Sequence, residues 1–161
     1  MIVVSNASPI MNLATVGQTN LLEQLYGGIF VPDAVFQELT AIGSARPDST
    51  IPQALSRIAT RSVANRSLVD SLLLELDVGE AEAIVLAVET RADLLLLDER
   101  RGRTVAARMG LKHIGLLGVL VEAKRKGLLS AVKPVLDDLI AKAGFWVANR
   151  LYARVLQEVG E

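Results

Sequence analysis

Four residues carry the chemistry open to this chain: Asn6 after the apolar run IVV, Glu38 inside VPDAVFQEL, Glu80 in GEAEAI, and Asp98 after DLLLL. Each lies in or just beyond an apolar stretch, so the ends of separate buried elements would deliver their oxygens. Converging carboxylates hold hard divalent cations such as Mg²⁺ or Mn²⁺, which activate water and neutralise phosphate charge. The pattern points to metal-dependent phosphodiester chemistry. The first of the four is an amide, which ligates through its carbonyl but brings no negative charge. Taken singly, each also has a local reading: Glu80 as a helix N-terminal charge, Glu38 as a solvated helix residue, Asp98 as the cap of a helix starting near Arg100. Their joint occurrence favours a site.

The elements that must position them are legible from pattern. IVVS reads as a short strand running directly into a helix (IMNLATV) with Pro9 at its first position. NLLEQLYG reads as a helix ending at Gly27 and Gly28, IFVP as a second strand, and DAVFQELTAI as a helix capped by Asp33. GSARPDSTIPQ has the composition of an exposed loop, and ALSRIATRSV and SLVDSLLLELD form further elements. In GEAEAIVLAVETRA, Gly79 marks the entry of a helix whose apolar face is Ala83, Ile84, Ala87 and Val88. DLLLLD looks like a strand covered on both faces of a parallel sheet. A helix from about Arg100 to Met109, a short run HIGLL and three C-terminal helices follow. The alternation predicts an α/β fold with a mainly parallel sheet, and places Asn6 and Asp98 at the carboxyl edge where such sheets bind ligands.

Composition narrows the chemistry further. The 161 residues form one domain, 1–161, by length, and bury about two-thirds of the surface of the unfolded chain. There are no cysteines and one histidine, His113, so thiolate and imidazole-rich zinc sites are excluded and a metal would be held by oxygen. The N-terminus lacks the pattern of a signal peptide and no apolar run is long enough for a bilayer, so the expected location is cytoplasmic, without a membrane partner. The net charge of −1 neither demands nor forbids nucleic acid. The phosphate-loop patterns GxGxxG and GxxxxGK[ST] do not follow the first strand, which disfavours a nucleotide-binding α/β protein.

VVSNASPIMNLA, VPDAVFQEL, GEAEAIVLA and LLLLDERRGRTVAARMGL, in this order, resemble the successive motifs of the PIN-domain family, in a branch of small prokaryotic proteins similar to VapC-type toxins. The resemblance implies a three-layer α/β/α sandwich around a mainly parallel sheet of about five strands. It also implies a Mg²⁺- or Mn²⁺-dependent ribonuclease, silenced by a small antitoxin protein and commonly a homodimer. By position, Asn6, Glu38, Glu80 and Asp98 would be catalytic, with Asn6, Glu80, Asp98 and the neighbouring Glu99 as candidate metal ligands. Asp98 is preferred to Glu99, because successive side chains of an extended segment point to opposite sides. Asn6 stands where the family carries its first Asp. Either a naturally degenerate nuclease or a deliberately inactivated toxic one fits that departure. A non-catalytic PIN-like module that binds RNA or protein is the alternative.

Supporting residues follow from the same placement. Ser8 is read first as a helix cap, and in the family a hydroxyl here helps orient metal-bound groups. Asn12, one turn on, is placed to face the same cleft. Arg100, Arg101 and Arg103 follow Asp98 directly and are the candidate RNA phosphate contacts, in a cluster continued by Arg108 and Lys112. Lys124, Arg125 and Lys126 read as a cationic helix end. Phe145 and Trp146 are expected to pack on the core or a partner, and His113 to be structural.

Overall fold

Residues 1–46 and 50–161 are described by the computed structural model. Five strands, β1 (Val3–Ser5), β2 (Ile29–Pro32), β3 (Ile58–Arg61), β4 (Leu94–Leu96) and β5 (His113–Ile114), form one sheet in the order β3-β2-β1-β4-β5. Every pairing is parallel. The helices are α1 (Ala7–Thr15), α2 (Asn20–Tyr26), α3 (Asp33–Ala45), α4 (Ile51–Leu55), α5 (Arg66–Leu72), α6 (Val78–Thr90), α7 (Arg100–Arg108), α8 (Leu116–Arg125), α9 (Lys133–Lys142) and α10 (Asn149–Glu158). No helix among the described residues is long and apolar enough to cross a membrane.

The strand sequences show why helices cover both faces. Side chains alternate across a strand. Val3, Leu94 and Leu96 enter one core with α1, α2, α3, α8, α9 and α10, whereas Val4, Leu95 and Leu97 enter a second core with α5, α6 and α7. The uninterrupted leucine run is thus two interleaved apolar faces, and the result is the expected α/β/α sandwich.

The chain leaves β1 toward β2 and β3, then crosses back to add β4 and β5 on the other side. A crevice opens at such a switch point, outside the carboxyl ends of the strands. Register fixes what lies there. Val3 pairs with Leu94 and Ser5 with Leu96. The Asn6 N–H donates to the Leu96 carbonyl at 3.0 Å, and the Leu97 N–H to the Ile114 carbonyl at 3.0 Å. Both ladders therefore end where Asn6 and Asp98 begin.

Several element ends differ from expectation. α1 starts at Ala7, so Ser8 and Pro9 lie inside it and Asn6, not Ser8, holds the cap position. Asp33 is the first residue of α3 rather than its cap, which is Pro32. A proline has no side-chain acceptor, and the α3 amides are met from elsewhere: Glu82 of α6 accepts from the Ala34 N–H at 3.1 Å and pairs with Arg66 at 3.0 Å. The expected loop 43–53 is helical at both ends. Gly43 stays in α3 because its missing side chain lets Ile51 of α4 approach, with Ile51 Cγ2 3.2 Å from where a β-carbon would stand. Packing outweighs glycine's poor helix propensity there. Residues 47–49 of that loop lie outside the described residues. Val88, expected on the buried face of α6, is 36% exposed, and the helix is instead buried on all sides from Gly79 to Ala87.

Glu82 is 6% exposed and serves both α3 and Arg66. Its replacement by alanine leaves the α3 amide and Arg66 without their acceptor, a loss of about 1–3 kcal/mol. Urea unfolding of Glu82→Ala is expected to show a lowered midpoint with an unchanged slope; an unmoved midpoint would remove Glu82 from the account of how α3 is held.

Candidate functional site

The N-terminus of α6 gathers oxygens from three elements. Asp77 caps the helix, its Oδ1 accepting from the Glu80 N–H at 2.8 Å. A β-carbon on Gly79 would lie 3.3 Å from Glu38 Oε2, 3.5 Å from Asn6 Oδ1 and 3.6 Å from Asp77 Oδ1. The end of β1, the middle of α3 and the cap of α6 thus meet over a glycine with no side chain to part them. Asp77 was not foreseen, although the spacing Asp77-x-x-Glu80 is that of a capping box and carried the signal.

Beside this cradle lies an open cleft of about 870 Å³ whose wall includes Asp77, Glu80, Glu99, Arg100 and Arg101. Glu80 is 7% exposed and its Oε2 is buried without a hydrogen-bond partner. That oxygen rests against α7: a β-carbon on Gly102 would stand 2.8 Å from it, and 3.0 and 3.2 Å from the Leu97 methyls. Only glycine leaves the carboxylate this place. Burial, a side-chain hydrogen bond with Asp77 and its charge, and then the charge of Glu99 push the Glu80 carboxyl up to about 7, against a hydrogen bond with the Asp77 backbone that lowers it. Glu38 is also held above its usual value, by burial and then by Asp77.

Asp98 and Glu99 part company at the end of β4. Glu99 lines the acidic cleft with Glu80. Asp98 turns to the start of α8, where its Oδ1 accepts from the Leu116 N–H at 2.7 Å. It caps α8, not α7 as its local reading had it. Its Oδ2 is buried and unpartnered. Burial raises the Asp98 carboxyl, the Leu116 amide and Arg103 oppose that, and Glu99 adds to it.

The other expected residues divide in the same way. The Ser8 hydroxyl is buried without a partner on α1, and Asn12 is half-buried on the next turn. Arg100 and Arg101 line the acidic cleft, Arg101 also donating to the Glu75 carbonyl at 3.2 Å. Arg103 stands on the Asp98 side, its Nη1 3.4 Å from a β-carbon built on Gly115. Arg108 pairs with Glu75 at 2.7 Å, and Lys112 lies at the opposite sheet edge with Met1 and His113. Lys124 and Arg125 bind Glu161 and Glu158, so this cluster fastens α10 rather than standing free.

The donors are all oxygen, and they suit a hard cation in chemistry. Crowded carboxylates with raised protonation, a buried Glu80 oxygen lacking a partner and the oxygen cradle over Gly79 all ask for positive charge. Among the described residues, no three carboxylates or imidazoles close on a single point. The donor chemistry suits a hard divalent cation that keeps waters of its own, not a closed protein cage.

A protein-family model described as a PIN domain matches residues 2–161, essentially the whole chain. No curated protein matches it.

Between about pH 4.5 and 7 the folded chain keeps a proton on Glu80 that the unfolded chain has released. By linkage, the stability cost of Glu80 grows as pH rises through that window and is complete above it. In metal-free buffer, Glu80→Gln is expected to raise the thermal midpoint at pH 8 and leave it unchanged near pH 4; an equal shift at both would show that ionisation is not the cause. Gly102→Ala drives a methyl into Glu80 and Leu97, an overpacking cost of about 1–3 kcal/mol. Calorimetry is expected to show that loss, and a midpoint equal to the parent's would mean that Glu80 does not need the space.

Proposed function

The chain belongs to the PIN-domain family, and we propose that it is a metal-dependent endoribonuclease of the VapC-like toxin type, built as one domain over residues 1–161 and weakened by Asn6. The observation that carries this reading is the meeting of Asp77, Glu80 and Glu99 in one cleft beside the Asn6–Glu38 cradle, at the carboxyl edge of the sheet. Glu80 and Glu99 are the assigned holders of Mg²⁺ or Mn²⁺. Asn6, Glu38 and Asp77 join them directly or through water, while Asp98 holds the start of α8 beside the neighbouring cleft. The ion supplies an activated water and neutralises phosphate charge. The chain's own contributions are separate from it. Arg100 and Arg101 would bind phosphate on the cleft wall, and the Asp77 cap holds the first turn of α6 rigid. A small antitoxin covering the cleft, a homodimeric state and a cytoplasmic location belong to the same reading.

Asn6 favours one alternative specifically, a PIN-like module that binds RNA or protein without cutting. An amide in the cradle keeps the crowd at two carboxylates, which suits a fold without its cation. It also removes one unit of the charge that attracts the metal.

The deciding experiment incubates the chain and its Asn6→Asp form with mixed-sequence RNA, with and without Mn²⁺, beside Glu80→Gln. Metal-dependent cleavage is expected from both, roughly tenfold or more faster for Asn6→Asp, a difference of about 1.4 kcal/mol or more in the barrier, and none from Glu80→Gln. Equal rates for the first two forms would clear Asn6 of blame. Absence of cleavage and of Mn²⁺ binding in every form would make the acids architectural and the binding module the better account.

A further inference from the structure

Trp146 is the chain's one tryptophan and is 81% exposed. Its ring offers a flat apolar face with a polar N–H edge, a surface on which another ring can stack. Of the two residues expected to pack on the core or a partner, Phe145 is half-buried against the core that contains α9 and α10, and Trp146 is left open to a partner. The segment is anchored from below. Gly144 ends α9 in the left-handed region (φ 66°), and the Phe145 N–H donates to the Leu139 carbonyl at 3.1 Å.

Trp146 lines a cleft of about 320 Å³ together with Phe145, Leu117, Leu151, Arg100 and Arg103. Asp98 also borders it, but its Oδ1 is engaged by Leu116 and Arg103 offsets its charge. Among the described residues no ion pair engages Arg100 or Arg103. The cleft therefore presents an aromatic surface beside Arg100 and Arg103, of which Arg103 also faces Asp98, and its occupant should be flat, aromatic and anionic at one end. Arg100 lines the acidic cleft as well, so the two clefts share a wall.

We propose that this second cleft is a subsite for one unpaired nucleotide of single-stranded RNA, its base stacked on Trp146 and its phosphate held by Arg103 and Arg100. The inference rests on the nuclease reading and deepens it. A base in a duplex cannot reach a ring on the protein, so the subsite selects single strands and seats the nucleotide next to the one at the acids.

Trp146 reports on its own occupancy, because no other tryptophan emits. The full chain is titrated with an unpaired RNA hexanucleotide in low-salt buffer with EDTA, following tryptophan emission and, with an end-labelled copy, anisotropy. Expected are saturable quenching parallel to anisotropy, binding weakened about tenfold or more in Trp146→Ala, and a salt dependence reduced by about one phosphate contact in Arg103→Gln, both variants unfolding cooperatively. RNA that binds without changing Trp146 emission overturns the subsite, as does failure to bind. Emission that shifts on dilution of the protein alone also overturns it, by showing a second copy on the ring. Mn²⁺-dependent cleavage with a silent Trp146 defeats the subsite and spares the nuclease; quenching with no cleavage by the chain or its Asn6→Asp form defeats the nuclease and upholds RNA at Trp146.

Discussion

The hydrogen bond from the Glu80 amide to Asp77 fixes most of what matters at the carboxyl edge of the sheet. At 2.8 Å it sets the first turn of α6, and with it the place of Gly79, over which Asn6, Glu38 and Asp77 converge. An uncapped α6 would fray at its beginning, the part that carries Glu80. Glu82, two residues further, holds α3 by the Ala34 amide and so keeps Glu38 opposite this turn. One well-capped helix therefore orders side-chain oxygens from three segments that are far apart in sequence, two of them acids and one an amide. Its burial on all sides from Gly79 to Ala87 leaves it no freedom to relax away from them.

That arrangement works against the stability of the fold. Asp77, Glu80 and Glu99 repel one another, and a buried carboxylate oxygen on Glu80 goes without a partner. Groups of this kind persist where function requires them, with the rest of the structure compensating. The compensation here is apolar: β1 and β4 drive leucine and valine into both cores, and their ladders continue through the Asn6 and Leu97 amides up to the edge of the cleft. Asn6 fits this balance. An amide at the end of the central strand supplies an oxygen to the cradle without a third charge beside Glu38 and Asp77.

Much of the frame was readable because it rests on local pattern. The run DLLLLD announced a doubly covered strand, and the acids at strand ends followed from it. What escaped the sequence depended on contacts between distant segments. Asp33 and Ser8 looked like caps by residue type, but α3 takes its acceptor from Glu82, and α1 begins at Ala7, one residue before Ser8. Asp98 has the composition of a cap for α7, yet it caps α8, because β5 places Leu116 beside the end of β4. No periodicity marks Gly102 as the space for a carboxylate coming from another helix; only the approach of α7 to α6 reveals it.

The separation of Asp98 from Glu99 carries the furthest consequence. Two neighbouring acids at the end of one strand face two different clefts, one lined by acids and the other by Trp146 with arginines. Successive side chains of extended backbone point to opposite sides, and the ladder that ends at Leu97 delivers the two acids in that alternation. Arg100, the next residue, opens α7 and borders both clefts. If RNA occupies both clefts as proposed, Arg100 places a positive charge between the acids and the aromatic ring. On the proposed reading, the groups for cutting and the groups for holding are divided by a single strand end, and the helix that begins there joins them again.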